Sequence, residues 1–268
     1  MKSTTFLGSA LLLGANTVLA NNPIAGNLFT DNLGLAAAQA AAPMWHMPSG
    51  TCMPSAAEDG NGHQTNGVGP DNCNIGKLGH NCPAQPQWLG PQTGYYNIPG
   101  EPFGNVPTYY ANGFCQSDNT WRIIYYVYFK KDTGHESDWE GVVMKFSNPN
   151  GDNNWVRSSV IFEQDGNKPE KSYEDINDTF DGNNDWTQYS NKNRDHPKFY
   201  FGKFHHSVHD DWHTSSFKNT CPPNSESDFR NDDYQFWSYW NLRHASVLGS
   251  DWVWGKANAP NHIDICNY

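Results

Sequence analysis

Asp132, His135, Asp138 and Glu140 fall within nine residues, in the run Asp132-Thr-Gly-His-Glu-Ser-Asp-Trp-Glu140. Three carboxylates and one imidazole in so short a span can converge on a hard cation or share acid–base work. Oxygen donors with one His suit Mg²⁺ or Ca²⁺ better than Zn²⁺, because thiolates and multiple imidazoles are missing from the group. Any one such residue reads more plainly as a solvated hairpin end. The density of carboxylates beside a His, between two aromatic runs, favours the cation.

The elements that must hold these residues are legible on either side. Trp121-Arg-Ile-Ile-Tyr-Tyr-Val-Tyr-Phe129 is rich in β-branched and aromatic residues, as strands prefer, and Gly141-Val-Val-Met-Lys-Phe146 follows. A second strand beginning near Ser137 would send Asp138 and Glu140 to one face and Trp139 to the other. Asp132 and His135 then sit on the connecting loop and reach the same point.

Gly134-His135-Glu136-Ser137-Asp138-Trp139-Glu140 resembles the heptapeptide Gly-His-Arg-His-Asp-Trp-Glu of the necrosis- and ethylene-inducing peptide-like proteins (NLPs). Tyr128-Phe-Lys-Lys-Asp132 resembles the segment that precedes it there, with a shorter intervening loop. His196-Pro-Lys-Phe-Tyr200 and Phe204-His-His-Ser-Val208 resemble the family's next block. The resemblance runs from about residue 88 to the C-terminus. It implies a lectin-like β-sandwich and a divalent-cation site lined by Asp132, His135, Asp138 and Glu140, with His206 as a further site residue. It also implies an exported effector or cytolysin that binds glycosyl inositol phosphoceramide head groups of plant membranes, permeabilises them and causes necrosis. The expected contact is that of a monomer, peripheral to the membrane. Two positions depart from the family: Glu136 stands for its Arg and Ser137 for its second His. Glu136 would change the charge beside the site by about two units, strengthening cation attraction and weakening contact with an anionic head group.

His205-His206-Ser-Val-His209-Asp-Asp-Trp-His213 is a second dense cluster. Its spacing of four would align His205, His209 and His213 on a helix, and would also put them on one face of a strand. It could add ligands to the first site, hold a transition metal, or be a polar strand end. Trp212, Trp237, Tyr239, Trp252 and Trp254 would suit sugar stacking or an interface, although each is also an ordinary core residue.

Two other functions compete. A carbohydrate-binding protein would use the same cation without lysis. A secreted glycan hydrolase or lyase would use Asp138 and Glu140 as acid and base. Adjacent same-face residues of one strand lie only about 6–7 Å apart at Cα, whereas paired glycosidase carboxylates come from opposite sides of the substrate. No nucleophile elbow, His-Glu-x-x-His helix or P-loop is present. The expectation is therefore not an enzyme.

A formal net charge of −11 argues against nucleic-acid binding, which needs Lys and Arg against phosphates. It equally argues against simple electrostatic docking on anionic lipid. Met1–Ala20 reads as a secretory signal peptide, with Lys2, an apolar stretch and Val18-Leu-Ala20. In an exported chain, Cys52, Cys73, Cys82, Cys115, Cys221 and Cys266 imply disulfides. The pairing expected is Cys115 with Cys221 or Cys266, and two of the first three with each other. Asn177-Asp-Thr179 is the one glycosylation sequon, in a polar stretch that suits an exposed loop.

Residues 21–86 differ in texture from the rest. An alanine-rich stretch, Leu35–Ala42, gives way to Gly, Asn, Pro and Ser, with few apolar residues to bury. The segment reads as an irregular, disulfide-bearing extension, and His46 and His63 within it as solvated. From residue 87 to 268, short aromatic and β-branched runs alternate with Gly/Asn/Asp/Pro clusters, which predicts an all-β sandwich. Asp232–Leu242 fits either a helix or a strand.

Overall fold

The computed structural model describes residues 21–59, 61–70, 74–83, 107–182, 189–214 and 227–268. The signal-peptide reading of Met1–Ala20, and the pairing of Cys73 and Cys221, lie outside them.

The chain is an all-β sandwich. Its N-terminal part supplies β1 (Ile24–Ala25), β2 (Met44–Met47) and β3 (Pro54–Ser55). An antiparallel run follows: β4 (Thr108–Cys115), β5 (Thr120–Lys131), β6 (Glu136–Ser147), β7 (Asn154–Phe162) and β8 (Glu170–Ser172). Then come β9 (Thr179–Phe180), β10 (His196–Phe201), β11 (Val208–His209), β12 (Tyr234–Trp237) and β13 (Leu242–His244). One sheet has the order β1-β7-β6-β5-β4-β13, with β3 on β5 and β8 on β7; the other has the order β11-β10-β2-β12, with β9 on β10.

Alternation along β5 and β6 explains why both faces of the large sheet are covered. Ile123, Tyr125, Val127 and Phe129 point with Val142, Met144 and Phe146 toward the second sheet, where they meet Trp45, Phe199, Phe201 and Phe236. Ile124, Tyr126 and Tyr128 point the other way with Trp139 and Val143, under Ala245, Leu248 and Trp254 of the C-terminal segment. An aromatic side chain buried in this way contributes on the order of 2–3 kcal/mol relative to leaving it exposed.

The N-terminal segment is not the loose extension that its Gly and Asn content suggests. β2 lies between β10 and β12, pairing parallel with one and antiparallel with the other. Trp45 packs on Phe199 and Phe201, and its indole N–H donates to Thr108 Oγ1 at 2.8 Å. Phe29, Ala37, Ala38, Ala41 and Met53 join the same core. The alanines of the short helix α1 (Leu35–Ala40) are what let its backbone approach: the Tyr125 hydroxyl donates to Ala38 O at 2.8 Å. His46, expected to be solvated, is fully buried against Tyr200; burial and then the Lys198 charge push its imidazole down to about 3.

Asp232–Leu242 resolves as β12, a 3-10 turn at Ser238–Trp240 and the start of β13, so the helical option there is not taken. Cys115 pairs with Cys266, and Cys52 with Cys82. The sequon is less open than its polarity suggests. Asn177 is half-buried, Asp178 and Thr179 are buried, and Thr179 begins β9.

Candidate functional site

β6 is paired with β7 only from Val142 onward, because Phe162 opposite Val142 is the last residue of β7. Beyond that point the chain turns away through residues 163–168, held by Glu163 N–H donating to Gly141 O at 3.0 Å. Asp138 and Glu140 therefore stand on a stretch of β6 with a strand on one side only. A cavity of about 350 Å³ opens there, lined by His135, Asp138, Glu140, Glu163, Lys168 and Tyr268 among others.

The expected alternation holds from Asp138 on: Trp139 enters the core under the C-terminal segment, while Asp138 and Glu140 face the other way. It fails one residue earlier. Ser137 has a left-handed φ of 57°, an uncommon conformation for a residue with a side chain. Glu136 is thereby directed over Gly67, into a separate recess of about 250 Å³ with Gln64, Asn66 and Val253. It lines that recess and not the acidic cavity.

The β5–β6 loop is closed by its own first residue. Asp132 Oδ1 accepts the N–H groups of Gly134 and His135 at 2.7 and 2.6 Å, the side-chain-to-backbone turn that Asp favours. Its Oδ2 faces His135 Nε2 and His205 Nδ1, each at 3.6 Å. His135 Nδ1 lies 2.8 Å from Ser137 O, which fixes the ring.

His206 is drawn in from the other sheet. Its ring stacks on Phe129 with centroids 3.9 Å apart, and Nδ1 lies 2.8 Å from Asp138 Oδ2. The turn that delivers it carries a left-handed φ at His206 itself, and Asp228 pins it by accepting the N–H groups of Phe204 and His205. His209 lies on β11 beside Gln164, so the helical option for the histidine cluster is not taken.

The electrostatics divide the carboxylates. Burial pushes Asp132 up, but His205, His135 and the two backbone N–H groups outweigh it and hold the carboxyl below its usual range. Asp138 is raised, because burial exceeds what His206 returns. Glu140 is pushed well above the ordinary range, by burial first and then by Asp138 and Glu163. Its Oε2 is buried without a hydrogen-bond partner. Burial raises Glu163 too, against the hydroxyl of Tyr268 at 2.7 Å and the N–H of Gly166 at 2.9 Å. For His135 and His205 burial works downward, yet the facing carboxylates leave both above the usual imidazole value.

All five residues expected at the site thus lie at one end of the β5–β6 hairpin. As they stand, no three His, Cys, Asp or Glu side chains among the described residues are grouped closely enough to hold an ion. The imidazoles occupy the carboxylates instead. The donor set still fits a hard cation: oxygen-rich, buried, and with one carboxylate oxygen left orphaned. Glu163, Asp165, Lys168 and Tyr268 were not anticipated, because they come from a loop and a terminal segment remote in sequence. Of the aromatics considered for ligand contact, Trp254 is core and Trp212 is 52% exposed.

No protein-family model and no curated protein matches the chain. Among solved structures it is similar to the non-toxic HaNLP3 protein, at 14% identity and a TM-score of 0.46 over 90% of this chain and 88% of that one. It is also similar to NLPPya in complex with mannosamine, at 15% identity and a TM-score of 0.46 over 84% and 83%. Both carry the name of the family that the heptapeptide resembles. At this level of superposition the likeness decides nothing by itself, and fold and site rest on this chain's own residues.

Proposed function

We propose that this chain is an exported, non-enzymatic NLP-like protein that recognises sugar head groups of membrane glycolipids through a divalent cation. Asp132, His135, Asp138 and Glu140 would hold Ca²⁺ or Mg²⁺, which when bound would supply a Lewis acid for sugar hydroxyls. The observation that carries this reading is the buried carboxylate pair Asp138 and Glu140, with Glu140 Oε2 unpartnered at the head of an open cavity. A buried carboxylate without a counter-charge is costly, and a cation from solvent would remove that cost. The cation competes with protonated His205 and His135 for the Asp132 carboxylate, so affinity rises as those two imidazoles, both held above the usual value by facing carboxylates, lose their protons.

The geometry of the carboxylates argues against catalysis. Asp138 and Glu140 leave one face of one strand, so they approach a ligand from the same side and do not flank a scissile bond. Vesicle leakage tests the reading. Dye release is expected only from vesicles containing glycosyl inositol phosphoceramides, only with calcium or magnesium, and should cease with chelator. Calcium-dependent binding to those vesicles without leakage would move the function to a non-lytic sugar binder, and release of reducing sugar to an enzyme.

A further inference from the structure

Lys198 has no access to solvent. β10 lies between β11 and β2, and alternation sends its Phe199 and Phe201 into the core. Lys198 and Tyr200 therefore face the other side of the small sheet, where His46 of β2 stacks on Tyr200 with centroids 4.5 Å apart. All three side chains are fully buried there. A lysine is almost never buried so completely unless it is paired. The partner is Asp178, just before β9. The Lys198 backbone N–H donates to Asp178 O at 2.9 Å, which fixes the two residues opposite one another, and Nζ lies 3.5 Å from Asp178 Oδ1.

This pair differs from the other lysine–carboxylate pairs among the described residues. Both side chains are out of solvent, 0% and 7% exposed, whereas Lys171 with Asp210 and Lys145 with Glu170 each keep a member that water reaches. Nζ is held among rings, 4.8 Å from the centroid of Tyr189 and 6.0 Å from that of Phe180. The two carboxylate oxygens have unlike surroundings. The Tyr200 hydroxyl donates to Oδ2 at 3.2 Å, while Oδ1, the oxygen facing Nζ, makes no hydrogen bond. Burial raises Asp178, against the Lys198 charge and the Tyr200 hydroxyl. Two charges held dry cost more solvation than their attraction returns unless the geometry is excellent. Joining the two groups removes both charges.

We infer that Lys198 and Asp178 condense into an intramolecular isopeptide bond, with the Tyr200 hydroxyl as the oxyanion donor. Passing one proton from Nζ to Oδ1 gives a neutral amine and a carboxylic acid. The Nζ lone pair attacks Cγ, and negative charge gathers on Oδ2, where Tyr200 already donates. The Cγ–Oδ1 bond then breaks, and Oδ1 takes a second proton from the nitrogen and leaves as water. The amide keeps one N–H, and nothing is oxidised or reduced. Pairing of the two residues across adjacent strands supplies the proximity that a bimolecular condensation lacks, and the dry site disfavours hydrolysis. Peptide mapping of the reduced protein by mass spectrometry tests this. One branched peptide should join the Asp178 and Lys198 segments, lighter by one water than the two together, and trypsin should not cut after Lys198. Lys198→Met should release the Asp178 segment as a linear peptide of full mass. Tyr200→Phe should slow the appearance of the bond in pulse-labelled protein roughly a hundredfold. Separate linear peptides of full mass from the folded wild type would overturn the inference and leave an ordinary ion pair. Equal rates in the wild type and Tyr200→Phe would overturn the part given to Tyr200.

Discussion

The two halves of β6 share a strand and a sheet but have opposite surroundings. Val142–Phe146 has β5 on one side and β7 on the other, and its inward side chains meet the second sheet. Asp138–Glu140 keeps β5 but has lost β7, and its inward side chains are carboxylates at a cavity. One half gains its stability from close packing. The other holds charge in a place where charge costs stability until something binds it. A strand that stops one residue short of its neighbour's motif is enough to turn a core position into a binding position.

The largest effect should come from the packed half. Phe146 is fully buried and meets Phe29, ring centroids 5.1 Å apart. Phe146→Ala should cost about 4 kcal/mol in urea unfolding. A loss under ~1 kcal/mol would mean that the N-terminal segment is not part of this core.

The acidic half should respond with the opposite sign. Glu140 has a folded-state pKa raised well above its ordinary 4.5, so between those values the native state binds more protons than the unfolded chain. Stability of the cation-free protein should therefore fall as pH rises from about 4.5 toward neutrality. Asp138, also raised, adds to the fall. Asp132 is held low, and its contribution is lost only as pH falls below its ordinary 3.8, outside that window. Glu140→Gln should flatten the slope and raise the melting temperature at pH 7 in chelator. A slope unchanged by the substitution would show that Glu140 is not the carboxylate that strains this half.

Much of the acidic half was legible in the sequence, because its residues are close together. A hairpin of aromatic strands brings Asp132, His135, Asp138 and Glu140 to one end whatever surrounds it. His206, 68 residues from Asp138, stood out in the sequence as part of a dense histidine cluster, and the family resemblance singled it out within that cluster. The rest depends on packing between distant segments. Nothing local marks Trp45 as the middle of a sheet, because its run Met44–Met47 is only four residues long, contains a His and is closed off by Pro43 and Pro48. Glu163 and Asp165 read as turn residues after a strand, and only the early end of β7 turns them toward Glu140. The positive φ at Ser137 likewise reverses what period-two alternation predicts for Glu136.

The central claim is that the unpaired half of β6 is a cation site, and calorimetric titration of calcium and magnesium into the folded, chelator-stripped protein tests it most directly. One cation should bind per chain, with affinity reduced at least tenfold, about 1.4 kcal/mol, in Asp138→Asn and in Glu140→Gln. No heat of binding to the wild type, or titrations in both variants that overlay the wild type, would contradict it.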